Sequence, residues 1–227
     1  MITGAALCPS PPLLSPQVTG RRPVLPELRA ACAEAVRRLV AEESEVVEVI
    51  GPAAATGAWD AASRLDLSAF APPNASRGAG SPPLALGLGA MLLDQAGYAG
   101  PRRLVAIGQD EPAGACARRG AEVADGNART ALLVMGDGSA RRGLKAPGYL
   151  DPRAEGFDTE VERAVRAWDS DALLRLDPAL ARDLMATGRP AWQVLAGAMP
   201  APAPACEVLY RDDPFGVAYL VAYLRPR

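Results

Sequence analysis

The side chains of this chain that could do chemistry gather in Thr130–Tyr149, TALLVMGDGSARRGLKAPGY. An apolar run, Ala131–Met135, breaks at a Gly-Asp-Gly-Ser turn and continues into a basic loop. Asp137 and Ser139 sit in the turn, Arg141 and Arg142 follow it, and Lys145 is the only lysine of the 227 residues. A desolvated lysine can lose its charge and act as a base, and beside Ser10 or Ser139 it would make a Ser-Lys hydrolytic pair. Neither serine lies in a nucleophile-elbow pattern. The cations around the glycine turn could instead hold a phosphate or carboxylate on exposed amides, although GDGSARRGLK departs from P-loop spacing. Plainer structural readings stand beside these. Asp137 between two glycines suits a turn residue that accepts backbone amides, Ser139 a cap, and Lys145 a solvated loop charge. Cys8 suits a small apolar core residue at a strand end. The chain has no histidine, so Ser-His-Asp and Cys-His catalysis are excluded.

The totals narrow the class further. With 24 basic and 26 acidic residues the net charge is −2, and no basic excess marks a nucleic-acid footprint. Arginine, alanine, glycine and proline are heavily used, the bias of a GC-rich genome, so the arginine count is no binding signal. Cys8, Cys32, Cys116 and Cys206 form no CxxC pair, which predicts reduced thiols and no metal knuckle. The N-terminal MITGAALCPSPP does not read as a signal peptide, and Pro82–Leu93 falls short of the roughly 20 apolar residues of a membrane span. The expectation is a cytoplasmic protein with no membrane or nucleic-acid partner. A small-molecule ligand and a homo-oligomer both stay open.

The elements that must position the turn follow from periodicity. Thr3–Cys8 reads as a buried strand, and Pro9–Gly20 as a stiff loop that continues neither helix nor sheet. Pro26–Ser44 carries apolar residues at three- and four-residue steps and reads as a helix. Glu45–Ile50 reads as a strand ended by Gly51-Pro52. Ala53–Gly80 reads as an irregular excursion with a weak strand alternation at Leu65–Phe70 and a mobile loop at Pro72–Gly80. A helix opening at Ser81-Pro82 and running to Gly97, a strand at Arg103–Gly108 and a helix at Glu111–Ala128 lead to the strand before the turn. Helices follow at Ala154–Asp169, Asp171–Leu176, Pro178–Thr187 and Pro190–Met199. Two strands, Cys206–Arg211 and Val217–Leu224, then close the chain as a hairpin. The alternation predicts one domain over 1–227. Its architecture is a three-layer α/β/α fold with a mostly parallel central sheet and a C-terminal antiparallel hairpin.

Four segments together, ALCPSPPLL, Ile50-Gly51-Pro52, GDGSARR and DDPFGVAYLVAYL, resemble one family in their order and spacing. The chain resembles the class III extradiol ring-cleaving dioxygenase superfamily, catalytic B-subunit-like, in a short branch of high-GC bacteria. That resemblance implies a mononuclear Fe(II) held by two histidines and a carboxylate, with a further histidine as acid/base. It places the two ligand histidines at Ser10 and Ala53 and the acid/base histidine at Ala140, and the ligand carboxylate on no particular residue. Serine is a poor iron ligand and alanine is none, so the resemblance implies ancestry without the iron site, and no metal or other cofactor. The loops would still converge on one pocket, lined by Cys8, Ser10, Ala53, Asp137, Ser139, Arg141 and Lys145, with Asp213 from the closing hairpin. Two function classes follow. The favoured one is an iron-free relative without ring cleavage that binds a small carboxylate or aromatic metabolite. The alternative is a metal-independent hydrolase or lyase using Lys145 with Asp137 and Ser139.

Overall fold

The computed structural model describes residues 1–20, 24–63, 65–67, 81–200 and 202–226. Its strands are β1 (Ile2–Cys8), β2 (Val46–Ala53), β3 (Gly57–Trp59), β4 (Arg102–Gly108), β5 (Thr130–Met135), β6 (Ala205–Asp212) and β7 (Tyr219–Arg225). Its helices are α1 (Pro16–Thr19), α2 (Pro26–Ala41), α3 (Leu84–Gln95), α4 (Ala113–Asp125), α5 (Arg153–Ala167), α6 (Ser170–Leu174), α7 (Pro178–Asp183) and α8 (Arg189–Ala198). The strands form one sheet in the order β3-β4-β2-β5-β1-β7-β6. The central four, β4-β2-β5-β1, are parallel, while β3 and the β6-β7 hairpin add antiparallel strands at the two sides. The expected α/β fold, with a mostly parallel core and a closing antiparallel hairpin, is the observed one.

Strand periodicity sorts the core into two layers. Along β5, Ala131, Leu133 and Met135 pack with Leu28 and Cys32 of α2 and Leu86 of α3. Leu132 and Val134 point the other way, to Cys116 of α4, Phe157 of α5 and Trp192 of α8. Successive side chains of a strand face opposite sides, so a strand covered on both faces must be apolar throughout. All six residues of β5 are buried. On the second side α4 and α8 meet backbone to backbone. A Cβ on Gly120 would stand 2.1 Å from the Val194 carbonyl oxygen, and one on Gly197 would stand 2.3 Å from that of Ala117.

Several boundaries differ from the sequence reading, each for a local reason. The proline-rich stretch after β1 does turn helical, as a 3-10 turn at Pro12–Leu14 and then α1. Pro16 is at a first-turn position where a missing amide costs nothing, and the Ser15 side chain accepts from the Gln17 amide. Gly51-Pro52 does not end β2. Pro52 pairs with Ile107 after the pairing with β5 has finished at Ile50–Val134, so the proline stands where one flank of the strand is already open. Helix α3 starts at Leu84, beyond Pro82 and Pro83. Its glycines allow close packing on the sheet, with a Cβ on Gly89 falling 2.5 Å from Val49 Cγ1. The edge strand of the irregular excursion is β3 at Gly57–Trp59. Of the alternation at Leu65–Phe70, residues 65–67 carry no strand. Residues 68–70 and the loop at Pro72–Gly80 lie outside the described residues.

The α4–α8 contact gives a direct test. Gly120→Ala places a methyl into backbone that cannot yield, and is expected to destabilise the protein by about 2–3 kcal/mol despite alanine's better helix propensity. A Cβ on Gly156 of α5 meets nothing within 4 Å, so Gly156→Ala is expected to stabilise by about 0.5–1 kcal/mol. Urea denaturation of the two variants checks both signs.

Candidate functional site

The connections after β1 and β2, through α2 and α3, pack on one face of the sheet, and those after β4 and β5, through α4 and α5, on the other. Strand β5 lies between β1 and β2. Loops therefore part to opposite sides at the carboxyl ends of these three strands, which is where open α/β sheets form a crevice. Register brings the expected segments to that edge. Cys8 pairs with Met135 and Ile50 with Val134, so Pro9-Ser10, Pro52-Ala53 and Gly136-Asp137 emerge side by side.

The turn after β5 is held by its own amides. The Gly136 amide donates to the Cys8 carbonyl (3.0 Å), Gly138 to Ala218 (2.8 Å) and Ala140 to Leu184 (3.0 Å). The Asp137 amide donates to Thr187 Oγ1 (3.3 Å), and the Ser139 amide to Asp158 Oδ1 (2.8 Å). Five consecutive donors thus reach four separate segments, which leaves none for an anion. The expectation that exposed amides here could cradle a phosphate or carboxylate is corrected on that ground. Both glycines are required by close approach. A Cβ on Gly136 would lie 2.3 Å from Gly188 Cα, and one on Gly138 would lie 2.7 Å from Asp158 Oδ1.

The candidate side chains divide between separate interactions. Asp137 Oδ1 accepts from the Ser10 amide at 2.6 Å. Desolvation pushes the Asp137 carboxyl up to about 6, against the opposing pull of the Ser10 amide and hydroxyl. The phenol of Tyr219, at the start of β7, is raised by burial first and by the field of Asp137 second. Its hydroxyl makes no hydrogen bond among the described residues. Ser139 is fully buried and its hydroxyl donates to Asp158 Oδ2 at 2.5 Å. Burial raises the Asp158 carboxyl, while the Ser139 hydrogen bonds and the field of Arg142 oppose that shift. The Arg142 guanidinium donates to Asp213 at 2.8 Å and lies 3.8 Å from Asp158. Asp213 is thereby an anchor of the hairpin to the turn. Cys8 is buried, and its thiol is raised by a neighbouring Cys32 thiol and by burial. Arg141 has its Nε buried without a hydrogen-bond partner among the described residues, its side chain packed over Gly148. Lys145 is exposed on the loop, with no hydrogen bond or ion pair among the described residues.

The three positions that the resemblance assigns to histidine share this edge of the fold. Ser10 follows β1, Ala53 ends β2 with its carbonyl accepting from the Gln109 amide (3.0 Å), and Ala140 is buried in the core layer that also holds Cys8, Val217 and Tyr219. Their side chains offer one hydroxyl and two methyls, and no group of three or more acidic or thiol ligands occurs among the described residues. The residues present do not fit a facial-triad iron. Beneath the turn, Gly138, Asp158, Trp192, Arg211 and Tyr219 enclose a cavity of about 20 Å³, space for about one water.

Sequence reasoning missed Asp158, Thr187 and Tyr219. Asp158 left a signal, because it stands on the buried stripe of α5 between Phe157 and Val161. An acid on an apolar helix face needs a fixed donor. Thr187 and Tyr219 come from distant loops and had no local pattern.

No family model matches the chain, and no curated protein matches it. Among solved structures, it is similar to the crystal structure of uncharacterized protein JW3007 from Escherichia coli K12, with a TM-score of 0.58 and 13% identity. The similarity covers 97% of this chain and 99% of that one, and at this identity it is a likeness of fold. Among the described residues no helix is long and apolar enough to cross a membrane.

Two measurements probe the turn. Ser139→Ala leaves Asp158 without its hydroxyl donor, and is expected to lower unfolding stability by about 1–3 kcal/mol. Because the folded Asp137 carboxyl titrates at about 6 rather than the ordinary 3.8, the folded state binds the extra proton between those values. Its contribution to stability is fully present below pH 3.8 and fades as pH rises through 6, a loss of up to about 3 kcal/mol. Asp137→Asn should remove that slope, so the stability difference between variant and parent is expected to grow in the variant's favour from pH 4 to pH 7.

Proposed function

We propose that this chain is a divergent, histidine-free member of the class III extradiol dioxygenase-like superfamily. In this reading it does not cleave rings with iron and binds a small aromatic or carboxylate metabolite at the crevice of Ser10, Asp137 and Tyr219. The observation that carries the reading is the Ser10–Asp137 hydrogen bond of 2.6 Å, which brings the first loop against the turn at the switch point of the sheet. A chain with no histidine cannot supply the two imidazoles of the family's iron site.

The chemistry of the crevice favours one of the two ligand classes. No cation figures among the groups that shift Asp137, so above about pH 6 its carboxylate repels a ligand carboxylate. A hydroxyl donor is suited to it instead, and the unpartnered Tyr219 hydroxyl can take or give a second hydrogen bond. A hydroxylated aromatic ring satisfies both. The hydrolase or lyase alternative has less support, because Asp137 is engaged with Ser10, Ser139 with Asp158, and Lys145 with neither.

Protein purified without chelators is expected to hold far less than stoichiometric iron and to consume no O₂ with catechol. Calorimetry should detect binding of catechol or phenol more readily than benzoate at pH 8, with Tyr219→Phe weakening it by about tenfold, the loss of one hydrogen bond. Stoichiometric iron, catechol-dependent O₂ uptake, or binding of none of the three probes would each refute the proposal.

A further inference from the structure

Seven large apolar side chains are exposed among the described residues, and five of them lie on three adjoining loops: Leu144, Tyr149, Leu150, Met185 and Phe215. Leu144 is 65% exposed and Tyr149 and Phe215 are each 62% exposed. The loops touch. A Cβ on Gly148 would lie 2.7 Å from Met185 Sδ, one on Gly216 would lie 2.5 Å from Ala146 Cβ, and the Arg142 amide donates to the Gly216 carbonyl at 3.0 Å. Three of these side chains stand on left-handed backbone, Tyr149 at φ 60°, Met185 at 56° and Phe215 at 62°. Bulky residues rarely adopt that region, and it concentrates where a side chain is held for a purpose.

We propose that this rim is the interface of a two-fold homodimer of the chain. Two observations select a second copy as the occupant. With about 200 Å² for each large side chain, the five present on the order of 500 Å² of apolar surface, the top of the range for a monomer's largest patch. Together with its polar border that approaches the roughly 800 Å² per partner of a stable dimer. The charge pattern is also self-complementary. Lys145, inside the rim, has no ion pair, and no cation pairs with exposed Asp212 at the end of β6, among the described residues. In an isologous interface each patch meets itself, so the Lys145 of one copy can face the Asp212 of the other, twice. The proposal uses none of the crevice residues and stands apart from the ligand reading.

Sedimentation velocity of the full chain over about a hundredfold concentration range should show a reversible species of twice the chain mass. Phe215→Gly removes an exposed anchor at a position whose backbone suits glycine. It is expected to weaken the dimer by at least about tenfold while leaving the melting temperature of dilute, monomeric protein unchanged or higher. Lys145→Asp should weaken it as well, and adding Asp212→Lys should restore it. A protein monomeric throughout that range overturns the proposal. So does a dimer indifferent to Phe215→Gly, or one that the paired charge exchange fails to restore.

Discussion

The buried Asp158 carboxylate is the contact on which the rest of the candidate site depends. It lies on α5 and takes both the amide and the hydroxyl of Ser139. A carboxylate desolvated in this way is tolerable only when its oxygens are satisfied. Once Ser139 is fixed, the neighbouring amides are aimed outward to β1, to the residues around α7 and to β7. The return bond from the Ala218 amide to the Ser139 carbonyl (2.8 Å) draws the hairpin onto the same turn. A five-residue turn thereby joins elements that are far apart in sequence, and the crevice residues are placed as a by-product of that joining.

This changes what a glycine-rich turn after a strand signifies here. Such turns serve ligands when their amides point at an open space and the glycines let a phosphate approach. In this chain the approaching groups are protein: Gly188 against Gly136, and Ala218 and Asp158 against Gly138. The turn is a structural junction whose acid, Asp137, is turned onto the Ser10 amide and desolvated enough to keep a proton to about pH 6. What this edge of the sheet keeps in place of a ligand cradle is the Ser10–Asp137 hydrogen bond, with the Tyr219 phenol close enough to feel the Asp137 charge.

The fold was legible because its signals are local and repeated. The apolar run of Ala131–Met135, the spacing of Leu28, Cys32, Val36 and Leu39, and the paired C-terminal strands each carry their own period. The ends of elements were less so, since they depend on neighbours. Pro52 continues β2 because β5 has already stopped pairing there, and Pro16 opens a helical turn because Ser15 caps it. Of the site, Ser10 and Asp137 were named and do meet. Lys145 attracted notice by its rarity, yet rarity carries no information about placement, and it lies outside the crevice interactions. Asp158 could have been found from its helix stripe, whereas the closeness of Tyr219 to Asp137 exists only once the hairpin has folded back.

The strand margins have a bearing on how the protein behaves in a crowded solution. An uncovered strand offers unsatisfied backbone groups to any passing chain, which is the usual seed of uncontrolled polymerisation. Here one margin is β3, three residues long, and the other is β6, whose register shifts between Val208 and Tyr210 and whose sequence carries Glu207, Arg211 and Asp212. A short strand gives too few bonds to template another, and a kinked, charged one resists a flat partner. Among the described residues both margins of the sheet therefore discourage further strand pairing, which favours association of copies through surfaces built from side chains over fibre-like stacking.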